Sequence, residues 1–137
     1  MAKTPKTTGR INLMFRAFSD RTRLRILHLL KEGESCVGDI VDVLRIQQPT
    51  VSRHLDYLNK AGLVCVRVAG TWRFYSLAPA NGAFHEKLLE CLACCFEEVP
   101  QLQTDTIRAT KIKKMGGCCP GVRTAPVQEK TKQTCCC

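Results

Sequence analysis

Nowhere in the 137 residues does an apolar run reach the length that a membrane span or a secretory leader requires, and the opening stretch 1–10 is polar and basic. The expectation is a cytoplasmic protein with no membrane contact. Also absent are the groupings that carry out chemistry on a substrate: there is no Ser-His-acid set, no paired carboxylates and no phosphate-binding loop, so an enzyme is not expected. Cysteine, by contrast, is plentiful, with ten residues. In a reducing cytosol such thiols are poor candidates for structural disulfides and better ones for soft-metal ligation or redox work.

The formal charge of +9 is unevenly spread. Residues 1–79 carry 13 Lys or Arg against 6 acids, residues 80–100 carry 1 against 4, and residues 101–137 carry 7 against 2. A basic surface of this kind attracts any polyanion, so charge alone does not separate DNA from RNA or anionic lipid.

The segment 47–64 narrows the choice. Gln47 and Gln48 can cap a helix, Pro49 suits its first turn, and Gly62 suits its stop. Val51, Leu55 and Leu58 at i, i+4 and i+7 make a narrow apolar stripe. The remaining face offers Gln48, Thr50, Ser52, Arg53 and His54, short hydrogen-bonding groups plus a cation near the helix N-terminus, where a helix laid in a major groove meets base edges and phosphates. Taken alone, the pattern fits an ordinary amphipathic helix equally well. Its neighbours shift the balance. Residues 39–44 read as a short helix with Ile40, Val43 and Leu44 inward, and three residues separate it from the next, which is helix-turn-helix spacing. After Gly62, residues 63–68 and 72–77 read as strands around a turn at Ala69, Gly70 and Thr71, a two-stranded β wing from which Arg67 and Arg73 can reach backbone phosphates. Solvated strand edges are the competing reading for those two arginines.

The run from Phe18 to Leu27 (FSDRTRLRIL), the run from Glu34 to Ile40 (ESCVGDI) and the run from Gln48 to Leu55 (QPTVSRHL) together resemble the ArsR/SmtB family of metal- and metalloid-sensing repressors, over residues 10–96. The resemblance implies a mainly α (α+β) fold, a winged helix-turn-helix that dimerises through its first and last helices. It also implies a homodimer bound to double-stranded operator DNA without any cofactor, which releases the operator when a soft metal ion or trivalent metalloid binds.

Coarsely, a first helix is expected over 11–17 and a second from a cap at Ser19 or Asp20 to before Gly33, while a long helix is expected over 80–96. In that long helix Phe84, Leu88, Leu92 and Phe96 recur every four residues with Cys91 and Cys95 beside them, which suits the dimer seam that the resemblance implies. Residues 101–114 read as a weaker helical stretch with few apolar anchors, and residues 116–137 as a disordered tail. The expected organisation is a DNA-binding and dimerisation domain over 8–100 and a Cys-rich basic extension over 101–137.

Apart from Cys36 and Cys65 the cysteines fall late: Cys91, Cys94 and Cys95, then Cys118 and Cys119, then Cys135, Cys136 and Cys137. Cys91, Cys94 and Cys95 at i, i+3 and i+4 share one helical face. Three thiolates suit As(III) or Sb(III) in a pyramid better than the closed tetrahedron zinc prefers. Small apolar packing in the seam is the alternative for Cys91 and Cys95. Cys118 and Cys119 follow two glycines and can complete a site begun by Cys94 or Cys95, whereas Cys135 to Cys137 are read as having no role sooner than as a scavenging or delivery tail.

Two branches of the resembled family place ligands elsewhere. One puts three thiols before the recognition helix as Cys-Val-Cys-Asp-Leu-Cys, but here Cys36 is followed by Gly38 and Val41 at the other two positions. The other binds zinc through an Asp-x-His and a later His and acid, and His85 here has Asn81 and Ala83 before it and Phe96 after. Cys36, Cys65 and His28 are therefore read as packing residues. The function expected is an operon repressor for arsenic resistance induced by As(III) or Sb(III). The rivals are a thiol-redox repressor of the same fold and a Cys-rich metal-storage or chaperone protein.

Overall fold

A computed structural model of the chain describes residues 4–117, with side chains from residue 8 onward. Along the chain run α1 (Thr4–Phe18), α2 (Arg21–Leu30), β1 (Ser35–Cys36), α3 (Val37–Leu44), α4 (Gln48–Lys60), β2 (Val64–Ala69), β3 (Trp72–Leu77), α5 (Ala83–Cys94) and α6 (Pro100–Lys114).

The starts and stops have local causes. The Asp20 carboxylate accepts the Arg23 amide at 3.0 Å and so satisfies one of the unpaired donors that open α2. α3 closes on Arg45, whose left-handed backbone (φ 56) turns the chain toward α4. α4 stops at Gly62 (φ 76), where the Leu63 amide reaches the Leu58 carbonyl and the Gly62 amide reaches that of Asn59, each at 3.0 Å. The expected glutamine cap is not used, for Gln47 makes no side-chain cap bond and Gln48 already lies inside the helix. A glutamine side chain must give up more rotamer freedom than Ser or Asp to fold back on its own helix.

One core gathers these elements. Val51, Leu55 and Leu58 of α4 are 0% exposed and pack with Ile26, Leu27 and Leu30 of α2, Ile40 and Val43 of α3, and Val64 and Tyr75 of the sheet. Each fully buried leucine contributes roughly 1.5–3 kcal/mol of transfer free energy, so the stripe suffices to dock the helix and fix its rotation. The two-stranded wing is found as β2 and β3, and β1 adds a third strand to its sheet: the order is β1-β3-β2, with Ser35 opposite Tyr75 and Cys36 opposite Phe74. A strand of two residues carries no alternation, so no pattern announces it. Cys65, expected to pack, is exposed on β2. Cys36 is buried as expected, and its sulfur also caps α3 by accepting the Asp39 amide at 3.4 Å.

In the C-terminal half the helix read over 101–114 is found as α6, but the length of α5 and the packing of α6 depart from expectation. α5 is shorter than the helix read over 80–96, and the last described helix is α6. α6 lies on α2 and α3, so the packed body runs on past residue 100 to the end of that helix. Leu102 and Ala109 are buried, and between them Asp105, 1% exposed, binds the Arg25 guanidinium through two bonds of 2.7 and 2.8 Å. Gln101 adds a third bond to that carboxylate at 3.2 Å. Arg25 also donates to the Leu44 carbonyl at 3.0 Å, and Arg108 donates to that of Val43.

Two histidines are buried in this body. His28 lies in α2 with Nδ1 lacking a partner among the described residues, and burial followed by the charge of Lys31 holds its pKa below the ordinary 6.5. His85 takes the Asn81 amide on Nδ1 at 3.1 Å, and burial and Arg10 hold its pKa down too. Below pH 6.5 the unfolded chain therefore binds protons that the folded chain refuses. Stability owes nothing to these groups above that pH and falls as pH drops through it. Melting temperature followed by circular dichroism should decrease between about pH 7.5 and 5.5, with a shallower slope in His28→Leu. A flat or rising trend would contradict the assignment.

Candidate nucleic-acid interface

With Val51, Leu55 and Leu58 turned inward, the helical repeat sorts the rest of α4 into three strips. Arg53 stands outermost and is exposed. Gln48, Ser52 and Asp56 form the flank toward the wing, where they line a cleft of about 460 Å³ together with Thr71, Trp72 and Arg73. Amide, hydroxyl and guanidinium donors thus converge at the start of α4, the equipment that base edges and phosphates require. Asp56 is an acid in this cleft that sequence pattern did not single out.

The third flank faces α2. His54 is half-buried there, with Nδ1 3.4 Å from Arg23 Nη1 and 4.0 Å from the Asp20 carboxylate. Thr50 shares that side and is half-buried. His54 was grouped with the groove-facing residues because an amphipathic pattern distinguishes inside from outside but not one flank from the other. Burial tends to raise the Asp20 pKa, but the Arg23 amide and the charges of Arg23 and His54 outweigh it and hold the carboxyl low. Arg23 belongs to the run 18–27, where spacing gives it no role of its own. It donates to the Arg16 and Ala17 carbonyls at 2.9 and 3.2 Å and lies over the Tyr57 ring at 4.2 Å, tying the end of α1 to α4.

The two wing arginines part company. Residues directly opposite on neighbouring strands share a face, and Arg67 pairs with Phe74 whereas Arg73 pairs with Val68, so the two guanidiniums leave opposite faces. Arg73 is exposed and turned to the cleft. Arg67 forms a two-bond ion pair with Glu34 at 2.6 and 3.1 Å and stacks over Phe74 at 4.5 Å. The side-chain bond to Glu34 raises its pKa.

The late described cysteines gather at the end of α5, and Cys94 is disulfide-bonded, against the expectation that these residues are poor disulfide candidates. Cys91 and Cys94 are half-buried and Cys95, the C-cap residue, is exposed. The Cys94 sulfur lies 2.9 Å from the Glu90 carbonyl oxygen. Among the described residues no three His, Cys, Asp or Glu converge as a metal-holding group, so the three α5 cysteines do not form a closed set in this conformation. Cys118, Cys119, Cys135, Cys136 and Cys137 lie outside the described residues.

Residues 20–66, from the α2 cap to the first wing strand, match the family described as bacterial regulatory protein, arsR family. An uncharacterized HTH-type transcriptional regulator of Methanocaldococcus jannaschii is 56% identical over 63 residues, covering 45% of this chain and 71% of that one. The arsenical resistance operon repressor of Escherichia coli K12 is 39% identical over 89 residues, 64% of this chain and 76% of that one. The chain belongs to the arsR family. Among solved structures, HlyU from Vibrio cholerae superposes with a TM-score of 0.55 at 30% identity, over 66% of this chain and 99% of that one. As an arsR-family protein it is a DNA-binding transcriptional regulator and not an enzyme. No helix among the described residues is long and apolar enough to cross a membrane.

For an arsR-family reading head built this way, Arg53→Ala should weaken binding to the specific site by about 1–3 kcal/mol without moving the melting temperature. His54→Ala should instead lower the melting temperature. Arg73→Ala should weaken binding to all duplexes alike and reduce the salt slope by about 1, while Arg67→Ala, an exposed pair, should change little. Anisotropy titrations at two salt concentrations check all four, and an Arg53 variant with parental affinity would remove α4 as the reading helix.

Proposed function

We propose that the protein is a homodimeric repressor of an arsenic-resistance operon that leaves its operator when As(III), or by the same chemistry Sb(III), is bound by thiolates at the end of α5. The observation that carries this reading is the vicinal pair Cys94, disulfide-bonded and half-buried, and Cys95, free and exposed, with Cys91 one turn back, on an arsR-family reading head. The name borne by the Escherichia coli relative points the same way.

The donor set fits the ligand. Thiolates are soft, and trivalent arsenic takes three of them with its lone pair in the fourth direction. Cys95 supplies one thiolate and Cys94 a second once a cytosolic thiol reductant has opened its disulfide, and the third comes from Cys91 after adjustment of the last helical turn or from Cys118 or Cys119. Drawing these residues together acts on the junction between α5 and α6. The dimer seam assigned to α1 and α5 is supported by Phe15, 55% exposed, whose ring sits 4.9 Å from that of Phe84 and offers an apolar face to a second copy. A dimer reads half-sites about 34–36 Å apart and tolerates little change in the placement of its reading helices. Release is then a coupling free energy between thiol site and DNA site.

Operator release should be measured for arsenite, zinc, cadmium and peroxide in parallel, under reducing conditions for the metals. Arsenite alone is expected to act at low concentration, and release by peroxide but not arsenite would favour a thiol-redox regulator. The double variant Cys94→Ser, Cys95→Ser should bind DNA yet ignore arsenite, because a serine hydroxyl is neither soft nor ionised at neutral pH. Truncation after Lys114 distinguishes a complete helical site, which stays inducible, from one that needs Cys118 or Cys119. Cys36→Ser should leave induction intact and hold α3 at least as firmly, since serine is the better helix cap. Loss of response in Cys36→Ser with response kept in the double variant would place the sensor at the opposite end of the reading head.

A further inference from the structure

The last carbonyls of a helix find no partner within that helix. In α3 two of them are taken from outside, Leu44 by Arg25 at 3.0 Å and Val43 by Arg108 of α6. These carbonyls stand immediately before Arg45, whose left-handed backbone sets the turn into α4. Arg25 is aimed by Asp105 of α6, which grips it at 2.7 and 2.8 Å and is itself held by Gln101 at 3.2 Å. A carboxylate this deeply buried costs desolvation that an apolar side chain would not, and deleting either partner strands the other charge. α6 has only Leu102 and Ala109 as fully buried apolar residues, so its docking leans on these polar contacts.

We propose that α6 is a strut for the DNA-reading head, with Arg25, Asp105 and Arg108 as positioning residues that hold the C-terminal end of α3, and through Arg45 the tilt of α4, in the pose that reads the operator. None of the three needs to touch DNA. The inference rests on α4 being the reading helix. It adds that the helix directly following the α5 cysteines is bonded, through Arg108, to the end of α3 just before the turn that aims α4.

The test uses the full chain, with anisotropy titrations against the duplex upstream of its own gene and a scrambled duplex of equal length, alongside hydrogen exchange. Arg108→Lys keeps the charge and loses the guanidinium fork, and Asp105→Asn keeps the shape and loses the charge. Each should weaken binding to the specific duplex about tenfold, a modest coupling, and leave the scrambled duplex unaffected. Exchange should quicken at residues 43–50 and remain unchanged at residues 64–77. Equal loss on both duplexes would make Arg108 a phosphate contact and overturn the strut, as would parental specific affinity in a variant whose α6 exchanges faster. Should Asp105→Asn fail to fold, Arg108→Lys, whose site is only half-buried, decides alone. A parent chain that did not distinguish the duplexes would remove the reading-helix assignment instead, and exchange at residues 43–50 would then judge the strut by itself.

Discussion

The rotation of α4 about its own axis is the constraint on which the rest of the interface depends, and three side chains set it. Val51, Leu55 and Leu58 are wholly buried, so a turn of the helix by one residue would drag a polar group into the core. Given that rotation, Arg53 has to point outward, Gln48 and Ser52 have to face the wing, and His54 has to face α2. Chemistry at the surface is thus decided by what is hidden. The Schellman-type stop at Gly62 then fixes where β2 leaves the helix, and with it the distance between the reading helix and Arg73.

Arginine has two jobs in this fold, and a count of charge confuses them. Arg23 covers the carbonyl end of α1, and Arg25 and Arg108 cover that of α3. A cation at a helix C-terminus satisfies unpaired acceptors and complements the partial negative charge there. Arg67 is occupied by Glu34. Of the basic residues named as DNA candidates, only Arg53 and Arg73 are both exposed and directed at the open side of α4 and its cleft. The basic excess of the reading half is therefore partly internal scaffolding, and its electrostatic pull on DNA is smaller than the formal total suggests.

Where a residue's fate is decided by neighbours within a turn or two, it was legible in the sequence. The α2 cap, the stripe of α4, the Gly62 stop and the hairpin strands all follow from local spacing. What escaped is non-local. α6 looked poorly anchored because its buried stripe contains an acid and an alanine, and the acid is explained only by an arginine 80 residues earlier. β1 escaped because two residues show no period. The thiol cluster was legible as composition, whereas its geometry was not: α5 ends at Cys94, so Cys95 begins the linker instead of continuing the helical face.

That ending has a consequence for how a ligand could act. A helix interior resists distortion because each residue is held by bonds on both sides, while a C-terminal turn has carbonyls without partners and yields at small cost. Thiols placed at such a terminus can be pulled into a new arrangement with little loss of core packing, and the buried Leu92 one turn earlier keeps the rest of α5 in place. From Cys95 the chain reaches Pro100 in five residues, too few to absorb a large displacement as slack. In the proposed reading, movement at the cysteines would be passed on to α6, which meets α3 through Arg108 and holds Arg25 against it through Asp105. Directional bonds are lost over a few tenths of an ångström, whereas an apolar contact slides. If the cysteines at the end of α5 are the sensor proposed above, its link to α3 through hydrogen bonds to helix-end carbonyls would respond more sharply than one made through leucines.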